Sequence, residues 1–367
     1  MGCWQCAMEN MVVKEIIEYF SGKSVLITGH TGFKGSWMTY LLWKYGAKVT
    51  GYALYPNTHP SLFNDLCLNE KCNSIIGDIN DFEALKNVVN QTQPDFIFHM
   101  AAQPLVRYSY KKPIETFSTN VMGTANLLEA CRQLKKKCCV VCVTTDKVYA
   151  NNEWEFPYRE IDRLGGHDPY SASKAASELV IDSYRKSYFS DSNIFVASAR
   201  AGNVIGGGDW SEDRLIPDII RSISANEPIV LRNPNAVRPW QHVLDPIFGY
   251  LLLGMNLFEN GKEFADSWNF GPKSSESMTV MEVCKIMVQT LGKGKVEIDI
   301  VTNKPHEAGL LTLDISKVKQ RLGWEPNWSS ETAINRTAEW YMGNLQLKEA
   351  NKLVEQDIQS FLSYESN

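Results

Sequence analysis

Four tyrosines are each followed by a lysine four positions later, a spacing that places both side chains on one helix face, one turn apart. The pairs are Tyr19/Lys23, Tyr40/Lys44, Tyr108/Lys112 and Tyr170/Lys174. The last pair directly follows Asp168 and Pro169, a helix cap and a first-turn proline. An ammonium beside a phenol favours the phenolate, so such a pair can remove a proton. The sequence therefore predicts a catalytic pair at Tyr170 and Lys174, and we interpret the other three as surface or packing features.

A phenol needs help to act as a base near neutral pH. Its ordinary pKa of about 10 must fall by roughly three units, or about 4 kcal/mol. One ammonium about 4 Å away supplies about that energy at an effective dielectric constant of about 20. We therefore expect Lys174 to lower the pKa of Tyr170, with a contribution from the helix N-terminus.

Three glycines lie between a short apolar segment and the start of a helical pattern. The segment reads Gly29-His30-Thr31-Gly32-Phe33-Lys34-Gly35. The first glycine permits a tight turn, the second lets the backbone approach a pyrophosphate, and the third lets helix and strand pack closely. The helix N-terminus presents free N–H groups to phosphates. Although the spacing is GxxGxxG rather than GxGxxG, its position between strand and helix predicts a dinucleotide-binding loop.

The end of the second predicted strand does not distinguish NAD from NADP. An NAD-specific site usually carries Asp or Glu there for the ribose hydroxyls, and positions 49–55 contain neither. Asp78, after the third predicted strand, is a candidate either for an adenine contact or for capping a turn. We predict NAD as the cofactor and leave NADP open.

Short strand-like segments alternate with helical patterns from Ser24 onward, which predicts βαβ units on a parallel sheet. Right-handed crossovers then give a doubly wound, Rossmann-like α/β fold whose ligands bind at the carboxyl ends of the strands. The predicted strands are 24–28, 48–53, 74–76, 95–99, 139–144 and 194–199. The predicted helices are 33–45, 82–91, 117–136, 170–188 and 246–257.

The sequence pattern changes after Arg200, where Gly, Arg, Trp and Pro cluster and the alternation is lost. We predict a smaller mixed α/β substrate lobe over 200–239 and 269–367. The dinucleotide-binding domain is predicted over 21–199 and 240–268, after an N-terminal extension over 1–20.

Composition excludes several other classes of protein. The chain has 367 residues, a net charge of −5 and no basic stripe, which argues against nucleic-acid binding. No apolar run reaches the roughly 18–20 residues of a membrane span. Nine cysteines without zinc-like spacing predict a reduced cytoplasmic protein without a metal site. We interpret the CxxC spacing of Cys3 and Cys6 as a solvated terminus rather than a redox site.

The glycine loop with Tyr170 and Lys174 resembles the extended short-chain dehydrogenase/reductase superfamily. Further segments resemble the CDP-glucose group of the nucleotide-sugar 4,6-dehydratases, and the resemblance runs from about residue 20 to near residue 340. These segments are 99–107 (HMAAQPLVR), 120–124 (NVMGT), 145–147 (TDK), 200–210 (RAGNVIGGGDW), 238–242 (RPWQH) and 305–308 (PHEA). Lys147 stands where other classes of these dehydratases carry Glu, so it is typical of the CDP-glucose group.

The resemblance implies conversion of CDP-glucose to a 4-keto-6-deoxy sugar nucleotide and water, with hydride transfer through bound NAD. Tyr170, beside Lys174, would take the proton of the sugar 4-hydroxyl, and Thr145 would hydrogen-bond the 4-oxygen. Asp146 would protonate the leaving hydroxyl. Lys147 would assist at C5, either as a neutral base or by stabilising the enolate.

The resemblance also implies two sets of binding residues and a homodimer or homotetramer. The cofactor-binding set is Gly29, Thr31, Gly32, Phe33, Lys34, Gly35, Asp78, Ile79, Ala101, Ala102, Gln103, Asn120, Tyr170 and Lys174. The substrate-binding set is Arg107, Asn203, Arg214, Arg232, Arg238 and His306. Guanidinium groups bind phosphates bidentately, and Arg238 is the arginine that we favour for this contact.

Two other functions remain open at this stage. A nucleotide-sugar 4-epimerase would share the glycines, Tyr170 and Lys174, but would need no acid at Asp146. A non-catalytic NAD-binding regulatory protein would need none of the catalytic side chains. The presence of Asp146 with Lys147 favours the dehydratase over both.

Overall fold

A seven-stranded parallel sheet forms the centre of the protein, in a computed structural model that describes residues 13–299 and 309–364. Its strands are β1 (Ser24–Thr28), β2 (Lys48–Ala53), β3 (Asn73–Ile76), β4 (Phe96–His99), β5 (Cys138–Val143), β6 (Ile194–Ala201) and β11 (Ser267–Phe270). They lie in the order β11-β6-β5-β4-β1-β2-β3, and every neighbouring pair is parallel. The chain reverses its direction of travel across the sheet between β1 and β4, which opens a ligand crevice at their carboxyl ends. The predicted doubly wound α/β fold is confirmed.

Helices enclose the sheet, and the described part of the chain contains no helix long and apolar enough to span a membrane. The helices are α1 (Val13–Glu18), α2 (Phe33–Lys44), α3 (Leu62–Asp65), α4 (Leu68–Lys71), α5 (Phe82–Thr92), α6 (Val106–Lys111), α7 (Pro113–Phe117), α8 (Gly123–Cys131), α9 (Pro169–Ser187), α10 (Leu215–Ala225), α11 (Leu244–Asn260), α12 (Val280–Leu291), α13 (Ser316–Leu322), α14 (Ser330–Leu345) and α15 (Ala350–Leu362).

The two faces of the sheet bury separate apolar cores. Successive side chains of a strand point to opposite faces. Accordingly Val25 and Ile27 of β1 pack in the core that contains α2 and α11. Leu26 packs in the core that contains α5, α8 and α9. Strands buried on both faces are typical of parallel sheets, and they explain the continuous apolar runs in the sequence.

Most predicted elements lie within a few residues of their observed bounds, but the bounds predicted for the helix over 117–136 are wrong. The helical segment begins earlier with α7, passes through a π-helical turn over Ser118–Met122 and ends with α8 at Cys131. Pro113 fixes the early start, because proline suits the first turn of a helix. The wide turn carries Asn120, whose side chain bonds to two other segments, and apolar periodicity does not reveal such contacts.

Among the described residues, the second half of the chain forms three two-stranded sheets. They pair β7 (Val204–Ile205) with β10 (Gln241–His242), β8 (Ile229–Leu231) with β13 (Val296–Ile298), and β9 (Val237–Arg238) with β12 (Met278–Thr279). The predicted domain boundaries remain a prediction, although β11 of the main sheet spans the proposed boundary at position 268.

Part of the predicted N-terminal extension is packed into the protein. Helix α1 lies against α11, and Ile16, Ile17 and Phe20 are buried in the core. Cys3 and Cys6 lie outside the described residues. The seven cysteines within the described ranges are free thiols, in keeping with the predicted reduced state.

Candidate active site

A cavity of about 870 Å³ opens at the carboxyl edge of the sheet and extends beneath α10. It brings together most of the residues predicted from the sequence. These are Gly29, Thr31, Gly32, Phe33, Lys34, Gly35, Asp78, Ile79, Ala101, Ala102, Arg107, Thr145, Asp146, Lys147, Tyr170, Lys174, Asn203, Arg214, Arg232 and Arg238. His306 lies outside the described residues, and its predicted role stays a prediction.

The glycine loop forms a cradle at one end of the cavity. Gly29 has a φ of +77°, and a Cβ there would lie 2.7 Å from the backbone nitrogen of Ala101. A Cβ at Gly35 would lie 2.1 Å from the carbonyl oxygen of Gly29, so helix and turn touch at this point. A Cβ at Gly32 has its nearest neighbour at 3.4 Å. Because no described side chain caps α2 at Gly32, the helix presents its first N–H groups to the cavity, as an anion-binding loop requires.

Asp78 both caps a turn and lines the cavity, so the two interpretations of this residue are compatible. Its Oδ1 accepts hydrogen bonds from the backbone and side chain of Asn80 at 2.9 and 3.1 Å. Leu54 and Tyr55 line the same end of the cavity and are exposed. Sequence reasoning missed both, because it looked for an acid at this position rather than for apolar surface.

Gln103 and Asn120 lie behind the residues that line the cavity, and their predicted contact with the cofactor stays a prediction. Asn120 accepts from the backbone N–H of Gln103 at 2.8 Å and donates to its carbonyl at 3.1 Å. It also donates to the hydroxyl of Ser173 at 2.8 Å, while Gln103 donates to Thr116 at 2.9 Å. Their polar groups are therefore used to join the loop after β4 to α7 and α9.

Tyr170 and Lys174 lie in the cavity wall at the start of α9, as predicted, but their electrostatics differ from the prediction. Burial raises the pKa of Tyr170 to about 12, against the opposing effects of a hydrogen bond with Thr145 and the charge of Arg214. Burial also lowers the pKa of Lys174 to about 8. The pKa of Tyr170 is thus raised rather than lowered here, because burial of the phenol dominates. The Lys174 ammonium donates to the carbonyl of Val143 at 3.4 Å.

Asp146 is the buried acid of the site, with 1% of its surface exposed. Its Oδ1 accepts a hydrogen bond from the Thr145 hydroxyl at 2.9 Å. Its Oδ2 is buried and has no hydrogen-bond partner within the described part of the chain. The carboxyl group rests against Gly202, where a Cβ would lie 2.0 Å from Oδ2. One oxygen is thus held by a neighbour, and the other is left for a ligand.

A buried ion pair fixes α9 to the strands that end at the site. Glu178 lies one turn after Lys174, and its Oε2 lies 2.7 Å from a guanidinium nitrogen of Arg200. The carboxylate also accepts from Thr144 at 2.5 Å and from Ser198 at 2.7 Å. Burial alone would raise the pKa of Glu178, but Arg200 and the hydroxyl groups hold it below its usual range.

The arginines of the cavity are held by acids and carbonyls of the protein. Arg107 and Arg232 approach the same carboxylate, Asp213, at 3.3 and 3.2 Å. Arg238, the arginine favoured from the sequence, is buried and donates to two carbonyls, those of Val237 and Gly309, at 2.9 and 3.2 Å.

Two further predicted residues have contrasting surroundings. Arg214 lies 3.9 Å from Asp209, a weak contact that leaves its charge available to a ligand. Asn203 adopts a φ of +36°, and its amide nitrogen is buried without a hydrogen-bond partner among the described residues. Such a donor at the cavity wall is suited to a ligand oxygen.

Within residues 13–299 and 309–364, no group of three or more His, Cys, Asp or Glu side chains could hold a metal ion.

Comparison with known proteins assigns the class to which this fold and site belong. The sequence matches the family model described as GDP-mannose 4,6 dehydratase over residues 26–337. The chain therefore belongs to this family of dehydratases.

One curated relative narrows the comparison. The chain is 46% identical over 350 residues to the CDP-glucose 4,6-dehydratase of Salmonella typhimurium, covering 94% of this chain and 98% of that protein. It is 29% identical over 340 residues to a dTDP-glucose 4,6-dehydratase of Xanthomonas campestris pv. campestris, covering 87% and 93%. Among solved structures, the dTDP-glucose 4,6-dehydratase of Streptomyces venezuelae with NAD and TYD bound superposes with a TM-score of 0.76 at 26% identity, covering 88% of this chain and 99% of that one.

Proposed function

We propose that this protein converts CDP-D-glucose to CDP-4-keto-6-deoxy-D-glucose and water by internal hydride transfer through bound NAD. The observation that carries this proposal is the placement of Asp146, with its unpaired Oδ2, in the same cavity wall as Thr145 and Tyr170. An epimerase needs a base and a cofactor but no acid for a leaving hydroxyl. The similarity to CDP-glucose 4,6-dehydratase supports the choice of substrate.

The residues of the glycine cradle fit a dinucleotide. Gly29 and Gly35 pack against backbone, while Gly32 and the uncapped start of α2 face the cavity. The backbone of Phe33 and Lys34 in the first helical turn would hold the pyrophosphate, and Asp78 would lie at the adenosine end. Bound NAD supplies a hydride acceptor for C4 and then a hydride donor for C6. We propose NAD rather than NADP from the relative that has NAD bound.

Tyr170 is the group that we assign to take the proton of the sugar 4-hydroxyl. Its phenol is protonated at neutral pH in this structure, since burial raises its pKa to about 12. Positive charge must therefore favour the phenolate during the reaction, and Arg214 is the cation whose charge opposes the effect of burial. Lys174 lines the same cavity wall one turn further along α9. Thr145 hydrogen-bonds with Tyr170 and is the residue that we assign to contact the 4-oxygen.

Asp146 and Lys147 are assigned to the loss of water. With its Oδ1 held by Thr145, Asp146 presents Oδ2 as the atom that delivers a proton to the departing 6-hydroxyl. Lys147 assists at C5, where the 4-ketone makes the hydrogen acidic. The cations Arg107, Arg214, Arg232 and Arg238 provide the positive surroundings for the diphosphate of the substrate.

We further propose that the protein is a cytoplasmic homo-oligomer. Free thiols are typical of a reducing compartment. The neighbouring helices α7 and α9 leave apolar side chains uncovered, with Ile114 82% and Leu179 63% exposed. A second copy of the chain is the proposed cover for this face. Light scattering after gel filtration tests it, and Leu179→Glu is expected to shift the protein to monomers.

The reaction itself is tested by incubating the protein and NAD separately with CDP-, UDP-, dTDP- and GDP-glucose. The masses of the products are measured by mass spectrometry. We expect loss of one water from CDP-glucose, with turnover of the other three slower by about two to four orders of magnitude. A pocket built to hydrogen-bond one base leaves buried polar groups unpaired with another. An isomer of unchanged mass would identify an epimerase, and no product from any of the four would leave a non-catalytic protein.

A further inference from the structure

Helix α10 orders the groups along the cavity wall. Arg214, its N-cap, lies close enough to Tyr170 for its charge to oppose the burial that raises the pKa of that phenol. Asp218, in the first turn of α10, lies 3.5 Å from Arg232. Ala225, the last residue of the helix, lines the same cavity about 10 Å beyond Asp218, since a helix rises about 1.5 Å per residue. The cavity wall therefore runs from Tyr170, the proposed proton acceptor, past the arginines to the C-terminal end of α10.

A nucleoside-diphosphate sugar has the same order of parts. If its glucose lies at Tyr170 and its diphosphate at Arg214 and Arg232, as the proposed function requires, its base lies at the C-terminal end of α10. The cavity there is lined by Ser222, Ala225, Glu227 and Ile229.

Glu227 is the acid at this end, and its backbone is fixed on both sides. Asn226 ends α10 in the left-handed conformation with a φ of +57°, and the N–H of Glu227 donates to the carbonyl of Ser222 at 2.8 Å. This is a common way for a helix to end. Pro228 follows, and the N–H of Ile229 donates to the carbonyl of Lys295 at 2.7 Å. The carboxylate thus projects from a pre-organised turn.

Glu227 also differs from the other acids of the cavity. The others hold a hydrogen bond or an ion pair with the protein: Asp78 with Asn80, Asp146 with Thr145, Asp209 with Ser211, Asp213 with Arg107, and Asp218 with Arg221. Within the described ranges Glu227 has no such side-chain partner. Its acceptor oxygens are free at the place where the base is expected.

We propose that the carboxylate of Glu227 accepts a hydrogen bond from the 4-amino group of cytosine and so selects CDP-sugars. Cytosine presents N–H donors at position 4, whereas uracil and thymine present a carbonyl oxygen there. A carboxylate has only acceptors, so it attracts the first group and repels the second. This assignment rests on the proposed function and adds the residue that reads the base.

The test compares the binding of CDP and UDP, which share the ribose and the diphosphate and differ at position 4 of the base. Calorimetric titration of the wild-type protein and of Glu227→Gln gives the ratio of the two dissociation constants. The carboxamide keeps an acceptor and gains a donor for the uracil oxygen. We expect the preference for CDP to fall by about tenfold or more, as for a hydrogen bond to a charged group, with CDP bound more weakly and UDP more tightly.

Glu212→Gln is the matched control, because Glu212 belongs to the same lobe, is exposed and does not line the cavity. Its ratio should equal that of the wild type. If Glu227→Gln instead changes both affinities by the same factor, the carboxylate acts only through its long-range charge, and the proposal is overturned. If the wild type removes water from CDP-glucose but Glu227→Gln leaves the ratio of the CDP and UDP dissociation constants unchanged, only the role of Glu227 is overturned. If the wild type does not remove water from CDP-glucose, the proposed function is overturned whatever that ratio is.

Discussion

Gly202 leaves the space that Asp146 occupies. A Cβ at position 202 would lie 2.0 Å from Oδ2 and 2.4 Å from Cγ of Asp146, and both distances are far shorter than a van der Waals contact. The acid assigned to water loss is therefore placed by the absence of a side chain on the neighbouring segment. This relationship makes the position of the carboxyl group testable without changing the carboxyl group itself.

Gly202→Ala should displace Asp146 and slow the loss of water by about 100-fold, the lower end of what a positioned acid contributes. Hydride transfer to the cofactor should persist, so the absorbance of reduced nicotinamide should rise in a single turnover and decay slowly. Gly271→Ala is the control, since its new methyl group meets Leu313 at an ordinary 3.6 Å. Equal rates in the two variants would mean that the site tolerates movement of Asp146.

Asp146→Asn should separate the two halves of the reaction. The amide keeps the shape of the side chain and an acceptor for Thr145, but its N–H groups are not acidic enough to protonate the leaving hydroxyl. We expect reduced cofactor to form and persist while water loss slows by about two to four orders of magnitude. Unchanged dehydration in stopped-flow and product assays would remove Asp146 from the role of acid.

Tyr170→Phe should lower turnover by about two to four orders of magnitude, because the proton acceptor for the 4-hydroxyl is lost. The thermal midpoint should change little. Tyr108→Phe is the matched control, since Tyr108 belongs to another Tyr-x-x-x-Lys pair and its hydroxyl bonds to Glu115 at the surface. Wild-type activity in Tyr170→Phe would reduce the pair at α9 to a packing feature.

Arg200→Met should destabilise the fold by about 3–5 kcal/mol, because it leaves the buried carboxylate of Glu178 without its counter-ion. Urea denaturation measures the loss. Arg132→Met removes an ion pair with Glu129 at the exposed surface and should change stability little. If both variants unfold at the same urea concentration as the wild type, the ion pair does not hold α9 to the sheet.

Asp245 should make the fold less stable as the pH rises. Burial raises the pKa of its carboxyl to about 8, although the N–H groups of Asn327 and Trp328 oppose the rise. In an unfolded chain this pKa is about 4, so the folded state binds the proton more tightly. The protonated Asp245 carboxyl therefore contributes its full share to the free energy of unfolding below about pH 4, and this contribution is lost as the pH approaches 8.

The variant Asp245→Asn removes this titration and keeps an acceptor for the two N–H groups. The free energy of unfolding, measured at several pH values between 5 and 9, should rise for the variant relative to the wild type as the pH increases. Asp191→Asn, at an exposed position paired with Lys262, should follow the wild type. Parallel curves for Asp245→Asn and the wild type would contradict the raised pKa.

The sheet, the glycine loop and the Tyr170–Lys174 pair could be predicted because local patterns encode them. Short strand-like segments that alternate with helical patterns mark β1 to β6, and Asp168 with Pro169 marks the start of α9. Features that depend on distant partners could not be predicted. The π-helical turn carries Asn120, which bonds to Gln103 17 residues away in the chain. The Lys174 ammonium bonds to Val143, 31 residues away.

Charge pairing shows the same limit. The sequence indicated arginines for a diphosphate, but it did not reveal that Arg107 and Arg232 share Asp213. Likewise Glu227 is one acid among many in the sequence, and only the end of α10 places it in the cavity.

In the proposed reaction a hydride leaves C4 of the sugar and returns to C6 of the same molecule. CDP-glucose carrying deuterium at C4 tests it, with the position of the label in the product read by NMR. We expect deuterium at C6 of a 4-keto-6-deoxy product, with hydrogen at C5 supplied by solvent. Deuterium retained at C4 of a product that keeps its 6-hydroxyl would contradict the account, because it would identify a reaction that returns the hydride to its origin.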